Sequence, residues 1–221
     1  QKFSIIGPGD MGEALISGLL SNQVISSGNI YVAGPRLERL DELADRYQIN
    51  TTLNNTEAVQ GSDVVILCVK PQKLPQVFED LQNQLPPDAL VISIIAGASI
   101  SSLIAGLKHS FIVRAMPNTP AQIGEGMTVW TQSQQTSDAQ HELAETILIA
   151  LGKAIFVEDE GYIDMAAAVS GTGPACVFLF LESMIDAGVH LGLPRRIAEE
   201  MVVETIKGSI DYYAQNRSHP A

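Results

Sequence analysis

Gly7, Gly9 and Gly12 stand in G-x-G-x-x-G spacing, between an apolar run from Phe3 to Ile6 and a segment where Ala14, Leu15, Ile16, Leu19 and Leu20 recur at helical spacing. The order of residue types suits one task. Gly7 permits a tight turn, Gly9 lets backbone approach a pyrophosphate, and Gly12 lets the helix pack on the strand with the phosphates at its N-terminus. Pro8 is compatible, because its fixed φ suits a turn and its missing N–H removes only one potential phosphate donor. The spacing alone would also fit a merely tight turn, but within a chain-opening strand, turn and helix it points to dinucleotide binding.

The next chemical question is which dinucleotide. An NAD-binding chain usually places Asp or Glu about 20 residues further on, to bond the ribose 2′-hydroxyl. Here that region reads "YVAGPRLER", where Ala33 and Gly34 offer no carboxylate and Arg36 follows at once. NADP(H) is therefore the expected cofactor. Arg36 is either a phosphate ligand or a solvated residue, and Arg39 reads as an ordinary solvated helix residue. Other turns at strand ends supply further candidates: "VKPQ" at Val69 to Gln72 and "IAG" at Ile95 to Gly97. Lys70 is a phosphate-binding cation or a solvated residue before proline. Asn55 caps a short helix or contacts the adenosine ribose.

These residues need a scaffold. Apolar runs "NIYVAG", "DVVILCV", "ALVISII" and "FIVRAM" alternate with helix-like "RLERLDELADRY", "LPQVFEDLQNQL" and "SISSLIAGL". That alternation predicts βαβ units in a parallel sheet with right-handed crossovers. After "GMTVWT", a helix from about Ser137 to Leu151 and "KAIFV", only helical patterns remain, so a domain boundary is expected near Val157, dividing 1–157 from 158–221. The chain has 221 residues, 46% hydrophobic content and a formal net charge of -12 with scattered basic residues, which argues against a nucleic-acid surface.

Two cysteines, Cys68 and Cys176, lie in apolar stretches and are expected to be buried reduced thiols; with no signal peptide before the first strand, a cytoplasmic location is expected. Ala89 to Leu107 and Met165 to Leu181 carry no charge. Membrane insertion is nevertheless not expected, because the first divides into a β-rich run and a helical start, and the second holds Ser170, Gly171, Thr172, Gly173 and Pro174 at its middle. His109, His141, His190 and His219 lie in unrelated contexts, and no metal or Ser-His-Asp cluster is expected.

More specific are "RAMPNTPA" at Arg114 to Ala121 and "IDMAAAVSGTGPACVFLFLESMIDAGVHLGLPR" at Ile163 to Arg195. With "GPGDMGEA", "VKPQ" and the closing "HP", their order and spacing resemble pyrroline-5-carboxylate reductase across essentially the whole chain. The resemblance implies an α/β fold, with an N-terminal Rossmann dinucleotide-binding domain followed by an all-helical dimerisation domain. It implies NADPH as cofactor, NADH binding more weakly, and reduction of the small molecule 1-pyrroline-5-carboxylate to L-proline as the last step of proline biosynthesis. It also implies a homodimer or a higher assembly of dimers.

The cofactor set expected on this basis is Ile6, Gly7, Pro8, Gly9, Asp10, Met11, Gly34, Arg36, Asn55, Val69, Lys70, Pro71, Ala96 and Gly97. At the reacting end the resemblance points to Asn118 and Thr119, with Met116 as an apolar wall, although Pro117 and Pro120 would equally make a stiff strand exit. Glu160 matches a family position near cofactor and substrate, or is a solvated acid in "EDEG". Ser170 to Pro174 breaks a helix, for packing at a dimer interface or for substrate contact.

Pro8 and Cys176 depart from the family, which commonly has a small residue at the first and an aromatic at the second. Family members also continue past "HP" into a Ser-Pro-Gly-Gly-Thr segment that helps hold the substrate, so part of that site is expected beyond Ala221. The chemistry asks little of side chains: hydride passes to a protonated imine, and position and charge complementarity supply most of the catalysis. Two alternatives are a reductase of the β-hydroxyacid dehydrogenase type, which needs a catalytic lysine that only Lys207 offers after Val157, and a non-catalytic NADPH-binding regulator.

Overall fold

A computed structural model describes residues 1–216. It divides into two compact units, Gln1–Gly171 and a second beginning at Thr172. The first is built on eight strands: β1 (Phe3–Ile6), β2 (Ile30–Ala33), β3 (Asn50–Thr52), β4 (Val64–Leu67), β5 (Leu90–Ser93), β6 (Ile112–Met116), β7 (Gly126–Gln132) and β8 (Gly152–Phe156). Their order is β3-β2-β1-β4-β5-β6-β7-β8. Residues Phe3 to Ile6 pair in parallel with Ile30 to Ala33 on one side and with Val64 to Leu67 on the other. Between β1 and β4 the strand order reverses, and such a switch point opens a crevice at the carboxyl ends of the strands.

Parallel pairing holds through β6, but β7 runs antiparallel to β6. Only a short turn containing Thr119–Ile123 joins them, too short for the dozen or more residues that a parallel crossover needs. The helix α6 (Asp138–Ile149) then provides a crossover, and β8 lies parallel to β7. The parallel pairing expected from the runs at β2, β4, β5 and β6 is what those strands adopt, and the antiparallel step comes after them, between β6 and β7. The three-residue edge strand β3 is too short and too polar to stand out in the sequence.

Successive strand residues point to opposite faces, and both faces are covered. Phe3 and Ile5 join a core with Leu15, Ile16, Leu19 and Leu40, from helices α1 (Asp10–Ser21) and α2 (Leu37–Tyr47). Ile6, Val65 and Leu67 join another with residues of α3 (Asn55–Val59), α4 (Leu74–Leu81) and α5 (Ile100–Leu107). Two-sided burial is why these strands read as unbroken apolar runs. Cys68, just past β4, is half-buried against the first of these cores, and desolvation pushes its thiol pKa well above the ordinary range.

All-helical structure begins at α7 (Gly161–Ala166), continues as a π-helical turn at Ala167–Gly171, and resumes as α8 (Gly173–His190). The expected break at Ser170 to Pro174 is thus a π turn, with Thr172 alone outside helical structure. The run Gly161–His190 is long and apolar enough to cross a membrane by length and composition alone. The first compact unit continues past Val157 to Gly171, because Ile163 of α7 is buried and Asp164 is ion-paired to Arg114 of β6.

In the second unit, α8 and α9 (Arg195–Asn216) share a small core of Ile185, Ala198 and Val202. Three residues bury little of either helix. Phe178, Leu179 and Phe180 stay exposed, the last at 59%, as do Met201, Ile210 and Tyr212. Cys176 is exposed as well, contrary to expectation, because it lies on α8 outside that core.

Candidate active site

The turn after β1 is held by backbone. Gly7 has φ +95°, which favours glycine, and its N–H donates to the Ala33 carbonyl at 2.9 Å. A Cβ there would lie 2.7 Å from Val69 Cγ1 and 2.9 Å from the Val69 nitrogen, so the turn touches the exit of β4. Gly9 donates to the Gly7 carbonyl at 2.9 Å, and the first intrahelical bond of α1 runs from Glu13 N–H to Gly9. The amides of Asp10, Met11 and Gly12 precede that bond and are the donors left for an anion, helped by the helix dipole.

Two contacts lock this turn to β2 and α2. Pro8 is buried against Gly34, where a Cβ would lie 2.5 Å from Pro8 Cδ and 2.7 Å from Cγ. Arg39 donates through Nε to the Pro8 carbonyl at 3.2 Å and pairs with Glu13 and Glu42. It is therefore a part-buried brace rather than the solvated residue expected. Burial would raise the Glu13 carboxyl pKa, but hydrogen bonds from Arg39 and Tyr47, with the charges of Arg39 and Arg46, outweigh it and hold the pKa below its ordinary value.

Two cavities open at the switch point. One of about 170 Å³ is lined by Gly7, Pro8, Gly9, Arg36, Lys70 and Lys73. The other, of about 270 Å³, is lined by Ile6, Ala33, Gly34, Asn55, Lys73 and Asp80 among others. Arg36 is exposed and Lys70 and Pro71 begin the short turn after β4, also exposed. Val69 lines both cavities. Ala96 and Gly97 are exposed beyond β5, with Gly97 at φ +75°.

The capping expectation for Asn55 is corrected: Asn54 caps α3, its side chain accepting from the N–H groups of Thr56 and Glu57. Asn55, one residue later, donates to Asp80 Oδ2 at 2.8 Å and faces the larger of these two cavities. A cavity of about 440 Å³ near Asp63, Pro86, Pro87 and Gln140 contains none of the expected residues.

In the loop after β6, Asn118 joins two segments: Oδ1 accepts from Met127 N–H at 2.9 Å and Nδ2 donates to the Ser170 carbonyl at 3.1 Å. Thr119 beside it is exposed. Glu160 is not a freely solvated acid. Its Oε1 accepts from Ile100 N–H at 2.8 Å and from Arg114 Nη1 at 2.7 Å, while Arg114 Nη2 reaches Asp164 at 2.6 Å. Arg114 is 4% exposed.

Two residues escaped the sequence reading as site components. Arg114 had a signal, since a charge inside an apolar strand must find a partner. Lys73, one residue past "VKPQ", had only its position. His109 and His141 are held structurally, through the Ala89 carbonyl and Gln132, and His190 is exposed; His219 and "HP" lie outside the described residues. Among the described residues no group of three or more His, Cys, Asp or Glu is placed to hold a metal ion.

Residues 2–97 match the family model "NADP oxidoreductase coenzyme F420-dependent", and residues 160–221 match "Pyrroline-5-carboxylate reductase dimerisation". The pyrroline-5-carboxylate reductase of Synechocystis is 37% identical over 100% of this chain and 82% of its own length. Among solved structures, that of the Coxiella burnetii pyrroline-5-carboxylate reductase superposes with a TM-score of 0.92 at 32% identity, covering 99% of this chain and 82% of the other. That of the Plasmodium falciparum pyrroline carboxylate reductase with NADP bound gives 0.89 at 31% identity, covering 99% and 80%. A nucleotide crevice without a carboxylate at the β2 exit, a clamped Met-Pro-Asn-Thr-Pro loop and full-length likeness agree: this chain belongs to the pyrroline-5-carboxylate reductase family.

Proposed function

We propose that this chain reduces 1-pyrroline-5-carboxylate to L-proline with NADPH, the last step of proline biosynthesis, as the names of its relatives suggest. The observation that carries the reading is the cation-lined phosphate turn at the switch point, with no acid at the end of β2. The residues fit the cofactor: a glycine turn that a Cβ would fill, unspent amides at the start of α1, and an adjoining cavity for adenosine.

In this reading the Asp10 and Met11 amides bind the pyrophosphate and Arg36 holds the 2′-phosphate. Ile6, Gly7, Pro8, Gly9, Gly34 and Asn55 shape the adenosine and phosphate end. Val69, Lys70, Pro71, Ala96 and Gly97 line the path toward the nicotinamide. When bound, the cofactor would supply a hydride to the imine carbon, and the protonated imine nitrogen would keep its proton, giving the secondary amine and oxidised cofactor. Thr119 offers its exposed hydroxyl at the reacting end. Asn118 and Glu160, both tied to protein, act as positioning residues: Asn118 fixes the loop, and Glu160 fixes the start of α5 against Arg114.

A second copy of the chain covers the exposed apolar residues of α8 and α9, making a homodimer or an assembly of dimers, with the division of roles falling near Val157. The dimerisation match from residue 160 and the exposure of Phe178, Leu179 and Phe180 support this. A buried dimer face also accounts for the apolarity of Gly161–His190 without a membrane, and a cytoplasmic location without nucleic-acid partners goes with it. The test is oxidation of NADPH on addition of pyrroline-5-carboxylate, with proline formed in equal amount. Tight NADPH binding without turnover, in a protein that continues past Ala221 with the Ser-Pro-Gly-Gly-Thr segment, would refute the enzyme reading and favour a regulator.

A further inference from the structure

Arg36 is not the only cation placed to read the ribose phosphate. In a chain of net charge -12, Arg36, Lys70 and Lys73 converge on one cavity whose lining holds no carboxylate. None of the three makes an ion pair among the described residues; the ion-paired cations are Arg39, Arg46, Arg114, Arg195 and Arg196. Arg39, the nearest alternative in sequence, is spent on Glu13, Glu42 and the Pro8 carbonyl. Three unpaired cations around a cavity of about 170 Å³ are suited to an anion.

Their positions differ. Arg36 and Lys70 line the cavity beside the Gly7 to Gly9 turn but not the one beside Ala33, Gly34 and Asn55, whereas Lys73 lines both. A 2′-phosphate hangs from the adenosine ribose, between the pyrophosphate and the adenine; with the pyrophosphate at the Gly7 to Gly9 turn and the adenosine in the larger cavity, it would fall where the two linings meet, at Gly7, Pro35, Val69 and Lys73. The carboxylate in the two linings, Asp80, is engaged by Asn55 at 2.8 Å and Gln76 at 3.0 Å.

We propose that Lys73 is a specificity-determining residue, closing on the 2′-phosphate of NADPH from the β4 side of the groove while Arg36 closes from the β2 side. The proposal rests on the NADPH reading above. The short turn Pro71–Lys73 carries Lys73 at the entrance of α4, where Lys73 N–H bonds the Lys70 carbonyl at 2.8 Å, so the lysine stem starts from a fixed point. Lys73 is an exposed residue, so the attraction should weaken with salt.

The test is calorimetric titration of the full chain with NADPH, NADH, and the fragments adenosine 2′-monophosphate and adenosine. Lys73→Met should weaken NADPH and the 2′-monophosphate about tenfold, with NADH and adenosine changing less than about threefold. Lys73→Arg should keep most of the preference. Rising salt should weaken NADPH less steeply in Lys73→Met than in the parent. An unchanged NADPH-to-NADH ratio in Lys73→Met, or equal loss for both cofactors, would overturn the assignment while leaving the cofactor reading intact. Failure of the parent chain to bind NADPH would overturn both.

Discussion

Pro8 and Gly34 should behave as one unit. In Gly34→Ala the new Cβ would stand 2.5 Å from Pro8 Cδ and 2.7 Å from Cγ, where ordinary carbon contacts are about 3.5–4.0 Å. The ring must retreat by about 1 Å to restore ordinary contact, and it is buried against Gly34 just past β2. Overpacking of this kind costs about 1–3 kcal/mol. Retreat also drags the Pro8 carbonyl off Arg39 Nε and tilts the Asp10 and Met11 amides, so part of the cost appears as lost cofactor affinity.

The expected outcome for Gly34→Ala is a Kd for NADPH raised about tenfold, since about 1.4 kcal/mol is a factor of ten. The ligand-free Tm should fall by about 2–4 °C per kcal/mol of lost stability. Pro8→Ala removes both clashing atoms and keeps the carbonyl, at about 0.4–1 kcal/mol from the freer unfolded chain. On that background, Gly34→Ala should cost less than about 0.5 kcal/mol, giving a coupling of about 1 kcal/mol or more. Calorimetry on the parent, the two single variants and the double variant measures the cycle. Equal loss from Gly34→Ala in the parent and in the Pro8→Ala background would refute the reasoning.

Arg114→Met should lower stability by about 2–3 kcal/mol, below the usual 3–5 for a broken buried pair because Glu160 and Asp164 can reach water, and thermal melting checks it. Phe180→Asp should abolish any stable dimer and the activity with it; a fully active monomer in sedimentation would overturn the dimer reading. Glu13, with its pKa held low, contributes stability that is complete above the ordinary carboxylate range and lost as pH falls through its folded value. Glu13→Gln should accordingly lower stability at neutral pH and flatten the acid limb, read by denaturant unfolding from neutral to acid pH.

Much of this protein was legible in sequence because much of it is decided locally. The glycine turn, the helix after it and the apolar runs of β1, β4 and β5 depend on residues a few positions apart, so pattern alone placed the crevice and the cofactor class. Family motifs marked the Met-Pro-Asn-Thr-Pro loop and Glu160 as candidates. Other features needed the tertiary structure, because their energetics depend on partners far along the chain. Arg114 finds Glu160 and Asp164 at separations of 46 and 50 residues, which turns an odd charge in a strand into a brace between β6 and the start of α7. Arg39 looked solvated until packing set it behind Pro8, 31 residues away. Asn54 took the cap expected of Asn55 because the helix began one residue earlier, a difference that only hydrogen-bond geometry decides. Lys73 gained its role from the two cavities that meet beside it, and Cys176 its exposure from a helix face that one chain leaves uncovered. Local sequence can select a turn or a helix through short-range sterics and hydrogen bonds, whereas the partner of a buried charge is set by the closure of the whole sheet around it.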